Sequence, residues 1–378
     1  MIVKPFRDRL LPLALVVVCV SVGWLSRAQL NAADAARSWS PDKAAAYLDG
    51  RAVWWSTWSG AARDHGTFCM SCHTTLPYVL ARPTLRDALH ESGPSSAEAL
   101  IVGNLLTRVK LGHEAEPFYP EQTRGVPKTS ESRAIEAVMN ALVLTPHDAA
   151  AGRLSDEGKT ALAQMWALQM KVGPNAGAWT WLNFNYEPWE SPNSPYLGAS
   201  FAALAVGSAP AHYAEAPEIK ENLAALRGYF QKQFPHESLL NRLMALWATG
   251  SVAGLLSNEQ RTAAIDEAFA AQRPDDGWTT ALLGAYARVD KTPLDTASDG
   301  YGTGLATLAL QAAGVPRSDP RLARGLEWLR RHQDPETGSW LASSLNKSRP
   351  PEADAAKFMS DAATAYAVLS LTFKPLVR

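Results

Sequence analysis

One short pattern recurs along this chain of 378 residues and limits the folds that are open to it. The pattern is a helix, then a turn that contains Gly and Trp, and then a second apolar helix. The clearest copy covers residues 322–371, with its turn at 333–340, and two earlier copies have their turns at 272–278 and 169–179. Self-similarity at a long spacing is typical of helical units that bury a core only by stacking on their neighbours. We therefore expect an all-α fold.

Helical patterning between these copies predicts three fainter hairpins, which makes six in total. Their helix pairs are 43–51 with 73–89, 97–110 with 133–144, and 219–233 with 239–247. At a spacing of roughly 40 to 60 residues, six hairpins use up the chain that follows the N-terminal segment. Asp299 and Asp361 stand ahead of apolar runs, where Asp commonly caps a helix, and we expect both to do so.

The order Gln, Gly, Trp in the last turn, seen at Gln333, Gly338 and Trp340, resembles the QW motif of squalene–hopene cyclases and related terpenoid cyclases. Six such hairpins resemble the α6/α6 toroid that these cyclases share with protein prenyltransferase β subunits. The resemblance implies one toroid domain over residues 36–378, with inner helices around a central cavity. It does not imply cyclisation by protonation. The sequence has no Asp-x-Asp-Asp motif and is one toroid long, whereas those cyclases resemble two joined toroids.

Residues 69–73, Cys-Met-Ser-Cys-His, form the attachment signature of c-type haem. Two thiols three residues apart can reach the two vinyl groups of one porphyrin, and the adjacent His can ligate the iron. We therefore predict a haem c held by Cys69, Cys72 and His73. The motif opens the first inner helix of the implied toroid, so we expect it to face the mouth of the cavity.

Two other chemistries are open to the same residues. Cys69, Cys72 and His73 could hold Zn²⁺, which favours thiolate and imidazole ligands. Toroids of the prenyltransferase and lanthionine-cyclase type hold a catalytic zinc ion, so the resemblance allows this alternative. The two cysteines could also form a plain disulfide in an oxidising compartment.

A haem iron has a second axial position, and three side chains are candidates for it. His113 follows the second outer helix and is the preferred metal ligand beside His73. His65 and Met139 are the alternatives. Three Trp residues precede the motif and either wall the porphyrin or pack as the first hairpin's counterpart of the QW turn: Trp54, Trp55 and Trp58.

The N-terminus has the features of an export signal. Basic residues precede an apolar run at 10–25, and Ala33 and Ala35 offer a small-residue cleavage site. The run is short for a membrane span, which needs about 20 apolar residues. Residues 1–35 are therefore predicted to be a cleaved signal peptide, with anchorage to the inner membrane through 10–25 as the alternative. Either interpretation predicts a periplasmic or exported protein. Bacteria attach haem c outside the cytoplasmic membrane, so this location agrees with the motif.

The charge composition argues against nucleic acid as a partner, and the motif and the implied fold are compatible with three functions. The net charge of −1, without a basic stripe, gives no electrostatic basis for binding nucleic acid. The favoured function is electron transfer or a redox step in the periplasm with a redox partner protein. The alternatives are a zinc-dependent toroid enzyme that acts on isoprenoid or thiol substrates, and a non-catalytic module that holds a lipid or peptide. In each case the implied cavity could hold an apolar small molecule.

Overall fold

The computed structural model describes Met1 and residues 39–374, and within this part the chain is all-α, as the sequence predicts. The described residues form thirteen α-helices and no β-strand. The helices are α1 (Pro41–Thr57), α2 (Thr75–Leu89), α3 (Ser96–Leu111), α4 (Glu121–Arg124), α5 (Lys128–Ala150), α6 (Asp156–Ala167), α7 (Ser194–Ser208), α8 (Lys220–Gln233), α9 (Leu239–Thr249), α10 (Asn258–Ala270), α11 (Gly300–Ala312), α12 (Pro320–Arg331) and α13 (Phe358–Leu371).

Apart from Met1, the predicted signal peptide or anchor at 1–35, including its apolar run at 10–25, lies outside the described residues. Of the helices that are described, none combines the length and the hydropathy needed to cross a bilayer.

Six of the helices have large buried surfaces, and each packs against the one that follows it in the sequence of this set. Each of α2, α5, α7, α9 and α11 contacts the next of the set, α13 follows α11, and α13 also contacts α2. In α11 every residue from Gly300 to Gln311 is buried. A helix that is apolar all round belongs in an interior. These six helices therefore form the core of the domain.

The close packing of the last two core helices depends on small side chains. A Cβ atom added at Gly304 of α11 would lie 2.8 Å from the backbone N of Ala367 in α13. The remaining long helices show a single buried face. In α12 that face carries Leu322, Leu326 and Leu329, and the last turn ends in arginines. They lie on the core helices, with α12 against α11 and α13, and α1 against α13 and α2.

The three Gly- and Trp-containing turns are each anchored to their hairpin by a buried indole. Trp179, Trp278 and Trp340 are fully buried. Their Nε1–H groups donate to carbonyl oxygens near the end of the preceding helix, those of Met165 (2.6 Å), Ala268 (2.6 Å) and Leu329 (2.8 Å). These bonds satisfy carbonyls that a helix end leaves without an intrahelical partner.

The glutamines of the turns reach to the next hairpin. Nε2 of Gln272 donates to the Arg321 carbonyl at the start of α12 (3.0 Å), and Gln169 does the same to Asn222 in α8 (2.9 Å). Gln333 donates to the carbonyl of Ser40 (3.0 Å) and accepts from its N–H (2.6 Å). Ser40 caps α1, so this last glutamine joins the C-terminal hairpin to the first helix described.

The turns also share one unusual backbone conformation, two residues before the Trp. Gly338 and Gly177 have φ values of +78° and +98° there, and Asp276 has +74°. The turn at 272–278 therefore fills this position with Asp and carries its Gly one place later. At Gly338 the chain also lies against the backbone of Lys43 in α1, so an added Cβ would collide with it.

The structure corrects the boundaries of three predicted helices. α1 runs from Pro41 to Thr57 rather than from residue 43 to residue 51. α5 begins at Lys128 rather than at Arg133, and it continues through Pro146 to Ala150 rather than ending at residue 144. α13 begins at Phe358, so Asp361 lies inside its first turn instead of capping it. Asp299 caps α11 as predicted, with its carboxylate accepting from the N–H of Gly302 (2.8 Å).

We predict that Gly338→Ala lowers the free energy of unfolding by at least about 2 kcal/mol. The substitution forces a side chain into a left-handed conformation and against the Lys43 backbone at once. The control is Gly228→Ala in α8, where an added Cβ meets open space. It should be neutral or stabilising by about 0.5–1 kcal/mol. Chemical denaturation of both variants checks this, and equal stabilities would contradict it.

Candidate functional site

The Cys-x-x-Cys-His segment forms the entry to α2, and a serine in its centre fixes it. The Oγ of Ser71 accepts from the N–H groups of Thr74 and Thr75 (both 3.0 Å). Oγ1 of Thr75 in turn accepts from the N–H of Ser71 (2.9 Å). This reciprocal arrangement caps the helix in the manner of a capping box. Cys72 and His73 lie inside the capped turn, so their positions are set by the backbone.

Both cysteines are free thiols in a buried environment. Cys69 and Cys72 are each 4% exposed, and Sγ of Cys72 lies 4.0 Å from Sδ of Met139 in α5. Burial raises the pKa of Cys69 to about 12 and raises that of Cys72 as well. The carboxylate of Glu190 adds to the increase at both thiols, while Arg63 opposes it at Cys69. Thiols in such surroundings stay protonated and are poor nucleophiles.

Aromatic rings enclose the imidazole of His73. The ring of Phe358 stacks on it at 3.9 Å between centroids and 22° between planes. Trp55 meets it edge-on at 5.1 Å, and Trp189 lies at 5.3 Å. Burial, with a smaller effect from the positive charge of Arg51, lowers the pKa of His73 to about 3. The imidazole is therefore neutral at physiological pH.

Two hydrogen bonds determine which nitrogen of His73 carries the proton. Nδ1 of His73 lies 2.8 Å from Oγ1 of Thr74, and that hydroxyl donates to Oδ2 of Asp361 (2.7 Å). A hydroxyl has one proton to donate, and a carboxylate only accepts. Thr74 must therefore accept from Nδ1–H, which leaves the lone pair on Nε2.

Asp361 is the centre of this network and has no exposed surface. Nε–H of Arg51 donates to both of its oxygens (2.9 and 3.1 Å), and the hydroxyl of Tyr47 donates to Oδ1 (2.8 Å). Burial raises the pKa of Asp361, and the bonds from Arg51, Thr74 and Tyr47 oppose that rise. The permanently charged guanidinium next to it keeps the carboxylate ionised.

Sequence reasoning missed Thr74, Arg51 and Tyr47 as site residues. Tyr47 and Arg51 are four residues apart on α1 and so share one face of it, which is a signal that the sequence contains. Asp361 was expected to cap α13 but binds these side chains instead. Its partners come from the opposite end of the chain, which no local pattern could indicate.

The three tryptophans before the motif divide between two roles. Trp55 packs edge-on against His73, and Nε1–H of Trp55 donates to the carbonyl of Cys69 (2.7 Å). Trp54 and Trp58 stack on each other at 5.5 Å, and Trp58 is 41% exposed. A continuous set of indoles therefore runs from His73 to the protein surface.

Of the three candidates for a second axial ligand, the structure brings Met139 to the motif. Met139 is fully buried and contacts Cys72. His65 is exposed and pairs through Nδ1 with Asp64 (2.8 Å). His113 is exposed beyond the end of α3, where its backbone carbonyl accepts from Arg133 (3.3 Å). In the part of the chain that the structure describes, no three His, Cys, Asp or Glu side chains lie together as a metal-binding group.

A cavity of about 1390 Å³ lies among the C-terminal halves of the six core helices, away from the motif. Neither Cys69, Cys72 nor His73 lines it, although the sequence led us to expect the motif at a cavity mouth. The reason is the packing at the start of α2, where Phe358, Trp55 and Trp189 fill the space around His73.

No model of a known protein family matches this chain, and no curated protein matches it significantly in sequence.

Burial raises the pKa of Glu190 to about 7, with partial opposition from Lys128. The folded state holds this proton when the unfolded chain has lost it. Stability from this group is thus fully present below the ordinary pKa of about 4.3 and is lost as pH rises through 7. Through this group the free energy of unfolding of the wild type should fall by up to about 3 kcal/mol between pH 5 and pH 8. We predict that Glu190→Gln removes this fall.

Urea unfolding at pH 5 and pH 8 measures this difference for the wild type and the variant. Glu114→Gln, at an exposed position, is the matched control and should follow the wild type. A Glu190→Gln profile parallel to that of the wild type would contradict the prediction.

Proposed function

We propose that residues 69–73 hold a covalently attached haem c, with one thioether from each of Cys69 and Cys72 and with Nε2 of His73 as the proximal ligand. The observation that carries the proposal is the orientation of His73. A histidine that binds a metal typically donates its other N–H to a carboxylate, carbonyl or water, which fixes the tautomer. Thr74 and Asp361 supply that arrangement here.

The surroundings of the two sulfur atoms suit a thioether, which carries no charge. Cys69 and Cys72 are each 4% exposed, and Sγ of Cys72 lies 4.0 Å from the thioether sulfur of Met139.

The aromatic residues beside His73 are of the kind that encloses a haem, but one of them would have to move. Phe358 stacks on the imidazole at 3.9 Å, so the porphyrin would displace that ring, with Trp55 and Trp189 left as walls beside His73. Met139 is the thioether nearest to the motif and the best placed of the three candidates for the second axial position. His113 remains the alternative, and it would require the exposed end of α3 to move toward the motif.

We propose further that the six helix pairs form the α6/α6 toroid of the terpenoid cyclases. Two features support this. The core helices contact one another in chain order, and the last contacts the first. Gln333 and Gly338 join the C-terminal hairpin to α1, as the other turns join their neighbours.

The role that we propose is electron transfer or a redox step in the periplasm, after export through the leader at 1–35 or anchorage through 10–25. Bound haem supplies reversible one-electron storage. The chain supplies an apolar enclosure for it, a neutral proximal ligand, and a path of indoles through Trp55 to the exposed ring of Trp58. That ring marks the surface at which a redox partner protein would approach.

Haem attachment predicts a Soret band in protein exported together with the haem-maturation factors, and haem stain that stays on the denatured chain. The double variant Cys69→Ala, Cys72→Ala should lose the covalent stain completely. Cys19→Ala, at the one cysteine outside the motif, should retain it. A colourless wild-type protein that contains zinc would overturn the proposal in favour of the zinc enzyme.

The Thr74–Asp361 relay predicts a change in redox potential. Donation from Nδ1–H toward a carboxylate raises the basicity of the ligand and so favours the ferric state. Thr74→Val keeps the side-chain shape and removes the acceptor, so the midpoint potential should rise. Tyr47→Phe removes a different bond to Asp361 and should leave the potential closer to that of the wild type. Redox titration distinguishes them, and a lower potential in Thr74→Val would contradict the relay.

A further inference from the structure

We propose that residues 52–62 form an uncharged docking patch, centred on Trp58, for a redox protein that presents an uncharged and largely apolar face of its own. The inference rests on the proposed function and adds the chemistry of the partner to it. The docking patch comprises the C-terminal part of α1 and the turn that follows it. Two large apolar side chains stand out from it, Val53 at 43% and Trp58 at 41% exposure.

The defining feature of the docking patch is the absence of charge. The segment from Ala52 to Ala62 contains no Asp, Glu, Lys, Arg or His. Nevertheless, only Ala52, Trp55 and Ala61 of this segment are buried. The central parts of protein interfaces are depleted in charged residues and enriched in aromatic ones. The composition of this exposed segment is therefore that of the centre of an interface.

Charges of both signs stand at each end of the docking patch. Arg51 precedes it, and the guanidinium of Arg51 pairs with Asp354 and Asp361 (both 2.9 Å). Arg63 follows the patch and is itself followed by Asp64. Electrostatic steering of a partner requires a patch of one sign that meets the opposite sign. A highly charged partner would gain little here, whereas an uncharged face loses no hydration of charges on contact.

Trp58 is held from two sides, which prepares it for a contact. Its ring stacks on that of Trp54 at 5.5 Å between centroids and 16° between planes. The turn at Gly60 also lies against the indole, because an added Cβ there would come within 2.6–2.8 Å of three ring atoms of Trp58. A side chain that is already ordered loses little entropy when a partner binds. Trp is also among the residues most typical of interface anchors.

The same features favour a protein over a lipid bilayer as the occupant. Anionic lipid headgroups attract clusters of Lys and Arg, and the docking patch has neither residue. Its exposed large apolar side chains are only Val53 and Trp58. A patch of this size suits a small and transient contact, as is common between redox proteins.

The test uses the haem-loaded protein as its own partner, since two copies can place the same uncharged patch face to face. Line broadening in the NMR spectra of mixtures of oxidised and reduced protein gives the rate of electron exchange. Val53→Lys adds a charge to the patch at an exposed helical position, where a cation near the end of α1 suits the helix dipole. Leu100→Lys is the matched control, because Leu100 is also 43% exposed and lies on another helix, α3.

Exchange in the wild type should change little with ionic strength. In Val53→Lys two like charges meet, so we expect exchange to slow about tenfold at low salt and to recover as salt screens the charges. Leu100→Lys should behave as the wild type does. Oxidised Val53→Lys mixed with reduced Val53→Asp brings opposite charges together, and this pair should exchange faster than either variant does alone.

A haem protein in which Val53→Lys and Leu100→Lys exchange alike would overturn the docking patch and leave the proposed haem function intact. A steep dependence of the wild-type rate on ionic strength would do the same. Sedimentation of the wild type, but not of Val53→Lys, with phosphatidylcholine vesicles would overturn the patch in favour of a bilayer. A protein without a Soret band would instead end the proposed function, and the docking patch with it.

Discussion

The buried ion pair between Arg51 and Asp361 is the interaction on which both the fold and the site depend. It joins α1 to α13, and the same carboxylate accepts from Thr74 at the start of α2. Removing two charges from water is unfavourable unless further hydrogen bonds satisfy them. Tyr47 and Thr74 supply those bonds. One carboxylate therefore joins the two ends of the described chain and also sets the tautomer of His73.

Local patterns predicted the parts of the structure that are determined locally. The turn around Trp340 and the helix that begins after Cys72 follow from neighbours in sequence, through a positive φ at Gly338 and a serine cap. The turn that ends at Trp278 departs from the other two because Asp276 takes the left-handed position that Gly holds in them. Asp tolerates that conformation better than most residues, which is why the turn survives the exchange.

The remaining features depend on partners distant in sequence, and no spacing rule reports them. Asp361 was predicted as a cap because Asp ahead of an apolar run usually is one, yet its partner Arg51 lies 310 residues away. Met139 contacts Cys72 across 67 residues. The position of the cavity depends on which end of the core receives large aromatic rings such as Phe358. That is a result of tertiary packing rather than of pattern.

A column of aromatic rings fills the core between the motif and the cavity. From His73 the rings run through Trp189, Tyr301 and Tyr366 to Trp247 in the cavity wall, with successive centroids 5.3, 6.0, 5.1 and 6.0 Å apart. Contiguous packing alone does not couple the motif to the cavity, because coupling requires an element with two discrete arrangements whose equilibrium both ends shift. The rings are packed against one another without a break, so the column joins the two ends of the core as one rigid layer.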